Sequence, residues 1–229
     1  MLQGKTTNNK RDINYEYDND YDNDYNNDYN NDNNHKPIIG DTAQTLLQIL
    51  HADYGAHYLI LYPDLTTLRE IYSQYIKASL VERNEIMIIL PFYETVDGVR
   101  NVLTENCADI DIRDYENQQS LIIVDSLKGY SGSPEGIMPV LKQMVRFAKS
   151  SGKSGVSAFG DMGSFFHNNN ENSLMKYELS LPSEYNSEMN LKTFCLYHQK
   201  EFDLKFTEKQ KEQLLGHHGN NLILTPLVR

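Results

Sequence analysis

The stretch His57-Tyr-Leu-Ile-Leu-Tyr62, followed by Pro63-Asp-Leu-Thr-Thr67, constrains this chain more than any other. A short apolar run closed by Tyr-Pro reads as a buried strand of a parallel sheet. Leu68, Ile71, Tyr72, Tyr75 and Ile76 then recur at helical spacing, so a helix begins near Thr66 or Thr67. Strand, turn and helix form the unit with which nucleotide-binding α/β proteins hold phosphate. That grip needs glycines in the turn, so that backbone N–H groups can close around the anion. No glycine occurs between Gly55 and Gly98, Pro63 removes a donor, and the Asp64 carboxylate would repel a phosphate. The scaffold is that of a nucleotide-binding domain without its phosphate loop.

The rest of the folded part keeps the same alternation. Asp41 can cap a helix over Thr42–Leu50, with Ala43, Leu46, Leu47 and Leu50 on one face. Ile86–Leu90 is a second apolar strand, and Thr95 caps a helix striped by Val96, Val99, Val102 and Leu103. Alternating Ile110 and Ile112 give a short edge strand within Ala108–Tyr115, and Leu121–Asp125 a third core strand. A loop over Gly129–Gly136 leads into a helix with Val140, Leu141, Met144, Val145 and Ala148 on its face. A strand over Gly155–Gly160, a loop over Asn168–Asn172 and a helix over Leu174–Leu181 follow. The chain continues with a strand over Leu191–His198, a helix over Thr207–His217 and a last strand within Asn221–Pro226. Strands alternating with helices predict an α/β fold in three layers: a mainly parallel central sheet with helices on both faces.

Residues 1–36 differ. Tyr17-Asp-Asn-Asp, Tyr21-Asp-Asn-Asp, Tyr25-Asn-Asn-Asp and Tyr29-Asn-Asn-Asp32 repeat a polar tetrapeptide that cannot bury enough surface to offset its chain entropy. A disordered Asp/Asn/Tyr-rich tail is expected there, with the folded domain over residues 37–229. A formal net charge of −11 argues against a nucleic-acid face and against an anionic membrane surface. No apolar run reaches a membrane span's length, and the N-terminus lacks the apolar core of a signal peptide. With Cys107 and Cys195 read as buried free thiols, the expectation is a cytoplasmic protein.

Several segments in this order resemble the MEDS domain, the sensory domain named after methanogens, methylotrophs and DcmR. They are His57-x4-Tyr62, Tyr75-Ile-x2-Ser-Leu-x3-Asn-Glu85, Ser120-Leu-Ile-Ile and Gly160-Asp161-Met162, then Tyr177-Glu178, Phe194-Cys195-Leu196-Tyr197 and Leu214-Leu-x-His217. The resemblance covers about residues 50 to 226. It implies a degenerate relative of RecA- and KaiC-type ATPases, in line with the missing phosphate loop. It also implies a domain that senses small organic ligands and is often fused to kinase or DNA-binding modules. Nothing here reads as a kinase or a helix-turn-helix, so output would pass through a separate signalling protein, a kinase or a regulator. Catalysis and a cofactor are not expected. Two alternatives stand beside this reading: an ATPase-derived enzyme with an atypical nucleotide site, and a protein-interaction module with no ligand.

Open α/β sheets bind ligands at the carboxyl ends of their strands. That rule selects Tyr62, Pro91, Phe92, Tyr93, Asp125, Gly160, Asp161, Met162 and His198 as pocket lining. Asp125 reads first as a turn or capping residue. His57 starts its strand, at the edge opposite Tyr62, and reads as structural; Tyr197 and His217 are secondary candidates, the last also suited to a helix C-terminus. The Gly129–Gly136 loop could cradle an anion or simply cover the surface. No metal site is expected, because zinc held by His57, His198 and a cysteine needs a convergence that their spacing does not show.

Overall fold

The structure, a computed structural model, describes residues 38–39, 41–131, 135–167, 170–219 and 222–224. The expected tail therefore lies outside the described residues, as do residues 132–134 of the glycine-rich loop.

In chain order the elements are β1 (Ile38–Ile39), α1 (Thr42–Leu50), β2 (His57–Tyr62) and α2 (Leu65–Lys77), which runs on into a π-helical turn, Ala78–Glu82. Next come β3 (Ile86–Leu90), α3 (Val96–Asn106), α4 (Ile112–Asn117), β4 (Leu121–Ile123), α5 (Ser126–Tyr130) and α6 (Met138–Ser150). The chain ends with β5 (Val156–Asp161), α7 (Gly163–His167), α8 (Glu171–Ser180), β6 (Leu191–His198), α9 (Gln199–Lys205), α10 (Glu208–His218) and β7 (Leu222–Leu224). Among the described residues seven strands form one sheet in the order β1-β7-β2-β6-β5-β3-β4, with each neighbouring pair of strands parallel.

Successive strand side chains point to opposite faces, so the sheet divides two cores. Ile60, Tyr62, Met87, Ile89, Phe159, Phe194 and Leu196 face one side, against residues of α1, α2, α3 and α4 such as Ile49, Ile71, Tyr75, Leu103 and Ile112. Leu59, Leu61, Ile88, Leu90, Ala158, Cys195 and Tyr197 face the other, against Leu141, Leu174, Tyr177, Phe202 and Leu214. This is the three-layer α/β arrangement expected from the alternation.

Several details differ from the expectations. Ala108–Tyr115 is not an edge strand: the Asp111 carboxylate accepts from the Asp114 N–H at 3.1 Å and starts α4. Only Ile112 of that helix is buried, so the Ile110/Ile112 alternation never met a sheet face. The third strand stops at Ile123 and pairs only with β3, at the sheet's edge rather than its middle. Leu47 and Val140, expected on packed faces, are exposed, and Thr45, Leu46 and Ile49 carry the inward face of α1. Helix α8 begins inside the expected loop, at Glu171, and α5, α7 and α9 fall where no helix was expected.

Candidate functional site

The β2–α2 turn is closed by a carboxylate of its own. Asp64 is the N-cap of α2, and its Oδ1 accepts from the Thr67 N–H at 2.9 Å. The helix start that would meet an anion already meets one of its own.

At the carboxyl ends of β2, β3, β5 and β6 five of the expected residues come together. Tyr62 donates its hydroxyl to Asp161 Oδ2 at 3.1 Å, and the Gly163 N–H donates to Oδ1 at 2.9 Å. The ring of His198 stands edge-on to Tyr62, with centroids 5.4 Å apart, and lies 5.6 Å from Tyr93, which packs on Phe92 at 4.9 Å. The parallel register makes this possible, since Tyr62 lies opposite His198 and Asp161 opposite Leu196. Gly163 is required there: a Cβ would come within 2.5 Å of the Phe92 ring. Burial pushes the Asp161 carboxyl up to about 7, against the lowering effect of its hydrogen bonds from Gly163, Tyr62 and the Phe92 backbone. Burial and then Asp161 raise the Tyr62 and Tyr93 hydroxyls well above the ordinary tyrosine value. His198 Nδ1 is buried and makes no hydrogen bond. A void of about 10 Å³ lies beside Phe92, Tyr93 and Asp161, bordered also by Leu65, Tyr72, Pro91, Glu94 and Leu196.

Pro91 lines the same void, whereas Met162 and Asp125 lie elsewhere. Met162 packs into the core on the opposite face of the sheet. The Asp125 carboxylate accepts from the Lys128 N–H at 3.2 Å and caps α5.

A second constellation sits on that opposite face. His57 Nε2 lies 3.3 Å from Cys195 Sγ and 3.5 Å from Glu178 Oε2, and His218 Nε2 lies 3.5 Å from the same oxygen. Tyr197 donates to Glu178 Oε1 at 2.8 Å. His57 Nδ1 is 3.0 Å from the Pro182 carbonyl, and His218 Nδ1 is 2.8 Å from that of Leu214. The ring of His217 stands 5.4 Å from that of His218. The nearness of both imidazoles, each 3.5 Å away, holds the Glu178 carboxyl far below its usual range despite full burial, and burial pushes the Cys195 thiol up. The structure thus brings His57 and Cys195 together, with Glu178 and His218 as companions, while His198 belongs to the first cluster. From sequence alone Glu178 enters only within the Tyr177-Glu178 motif, and neither it nor His218 is expected at a site. The usable signal was a carboxylate inside the apolar run Leu174, Met175, Tyr177 and Leu181, and a histidine four residues after Leu214.

A family model for the MEthanogen/methylotroph, DcmR Sensory domain, MEDS, matches residues 56–218. The chain belongs to this family. The MEDS match begins one residue before His57 and ends on His218, so both clusters lie inside it. Comparison with curated proteins gives no match. Among solved structures, a KaiC-like protein from the hyperthermophilic archaeon Pyrococcus horikoshii is similar at 16% identity and a TM-score of 0.43. That likeness covers 64% of the MEDS chain and 65% of the archaeal one. Among the described residues no helix is long and apolar enough to cross a membrane.

Proposed function

We propose that this MEDS domain is a non-catalytic sensor on a RecA-like scaffold, taking a small organic ligand at the carboxyl ends of its strands and signalling through a separate protein. The observation that carries the reading is His198 Nδ1, buried without a hydrogen bond beside Tyr62, Tyr93 and the protonatable Asp161. Buried polar groups are nearly always paired, and an unpaired one facing aromatic rings suits a ligand with a single hydroxyl or amine. Half-buried Phe92 and Tyr93 form the side that must swing for entry. Occupation of the α2 N-terminus by Asp64 supports the absence of nucleotide chemistry.

Thermal melts of the full chain with a panel of small alcohols, amines and carboxylic acids test the proposal. A binder present at about a hundred times its dissociation constant raises Tm by roughly 5–10 °C, and His198→Leu abolishes the rise. ATP turnover that disappears in Asp161→Asn would sink the non-catalytic reading. The smallness of the void, about 10 Å³, favours a second reading, a ligand-free module that binds a protein partner. A panel in which no compound moves Tm selects that one.

A further inference from the structure

We propose that His57, Glu178, Cys195 and His218 form a closed, four-coordinate site for a divalent metal ion of the zinc class. All four side chains are buried, none more than 4% exposed, and one ligand atom from each lies within 4.8 Å of the others. Zinc–ligand bonds of about 2.0–2.3 Å set tetrahedral ligand–ligand edges of about 3.3–3.8 Å. The three distances already given, 3.3, 3.5 and 3.5 Å, fall in that range.

The hydrogen bonds around the cluster make the stronger case. Both Nδ1 atoms face carbonyl oxygens, which only accept, so both must carry the proton. In the neutral rings each Nε2 is then a bare lone pair, and both are aimed at Glu178 Oε2, another lone pair. Neither Glu178 Oε2 nor His218 Nε2 makes a hydrogen bond. Without a cation, the interior must hold either this repulsion or extra protons between two rings and one carboxylate, with only the Cys195 thiol placed to donate to His57 Nε2. Both are costly in a dry core. A metal ion turns the same geometry into four donor bonds.

The surroundings match those of ligating groups. Each histidine is fixed through Nδ1 by a backbone carbonyl, and the free oxygen of Glu178 is held by the Tyr197 hydroxyl. One thiolate, one carboxylate and two neutral imidazoles around a divalent ion sum to zero charge, as full burial requires. Two imidazoles with a thiolate favour zinc over magnesium or calcium. Four protein ligands leave no open position, so the site is structural. It clasps β2, α8, β6 and α10.

The test uses the untagged full chain purified without chelator, with bound metal measured by mass spectrometry. One zinc ion per chain is expected, and its removal lowers Tm by about 5–10 °C. Cobalt added back to the stripped chain gives the visible bands of a tetrahedral ion and a thiolate-to-cobalt charge-transfer band, saturating at one ion per chain. Cys195→Ser removes the charge-transfer band, Tyr197→Phe weakens cobalt binding about tenfold or more with the fold intact by circular dichroism, and His217→Ala changes neither. Two outcomes overturn the proposal. One is a folded wild-type chain that takes up no cobalt after stripping. The other is wild-type affinity in Tyr197→Phe with a spectrum free of thiolate charge transfer, the mark of a surface histidine site.

Discussion

At the scale of single residues, Asp161 is the group on which solution conditions act. It ends β5, the strand that composition can least explain, Val-Ser-Ala-Phe-Gly-Asp, and is 2% exposed. Its folded-state pKa of about 7 stands above the ordinary aspartate value of 3.8, so between these limits the folded chain holds a proton that the unfolded chain has lost. Stability from this group is complete below about pH 4, falls as pH rises, and levels off above pH 7. The whole effect is on the order of 4 kcal/mol, with a limiting slope of about 1.4 kcal/mol per pH unit. Lowering of the His217 pKa by burial acts in the opposite sense, since that ring gains stability as pH rises. Comparison with Asp161→Asn isolates the carboxyl. Urea midpoints at pH 5, 6, 7 and 8 are expected to fall in wild type relative to the variant up to about pH 7 and to run parallel above it; profiles parallel over the whole range would show that Asp161 stays charged throughout. Its place at a strand end was legible in the sequence, because a polar residue closing an apolar run sits where the sheet opens. Its depth was not, since Tyr62, the partner that buries it, is 99 residues away.

Elements reveal a similar division. Asp41 and Thr95 were readable as caps from the apolar stripes behind them, and each accepts from the N–H three residues on, at 2.9 and 3.0 Å. The strands over His57–Tyr62, Ile86–Leu90 and Leu191–His198 matched because a strand buried on both faces is dominated by apolar and aromatic residues. Helices α5, α7 and α9, of five to seven residues, were illegible because two turns are too few to display a stripe. In α4 the contest between the Ile110/Ile112 alternation and the Asp111 cap went to the cap. Asp64 was legible as an obstacle to phosphate but not as a cap, since the helix starts at Leu65, a residue before the position expected. Asp64→Ala should therefore lower stability by about 1 kcal/mol, and Asp64→Asn by much less. Neither substitution should create affinity for ATP, because Pro63 still withholds a backbone donor. Denaturant melts and an ATP-binding titration check both halves, and micromolar binding by Asp64→Ala would show that this carboxylate alone blocks a nucleotide.

Seen as a whole, the molecule is a wall with a different chemistry on each side. Strand β6 belongs to both: Phe194 and Leu196 face the core that contains Tyr62, and Cys195 and Tyr197 face the one that contains Glu178. The aromatic cluster thus draws on the α1–α4 side at the strand ends, and the histidine–cysteine cluster on the α6–α10 side. Packing rather than sequence proximity made the second cluster, because its members come from β2, α8, β6 and α10. Within it His218 ties α10, the last helix, to the buried carboxylate of α8. If the sheet insulates the two sides, loss of that tie should loosen its own side alone. Native-state hydrogen exchange of His218→Ala is expected to speed the amides of α8 and α10 about tenfold or more, while those of α2 and α3 change by less than about twofold. The insulated picture requires opening of one face to cost less than global unfolding, which is reasonable for helices docked by one buried polar knot. Equal acceleration on both faces would mean that the sheet transmits the loss, and that the two clusters belong to one cooperative unit.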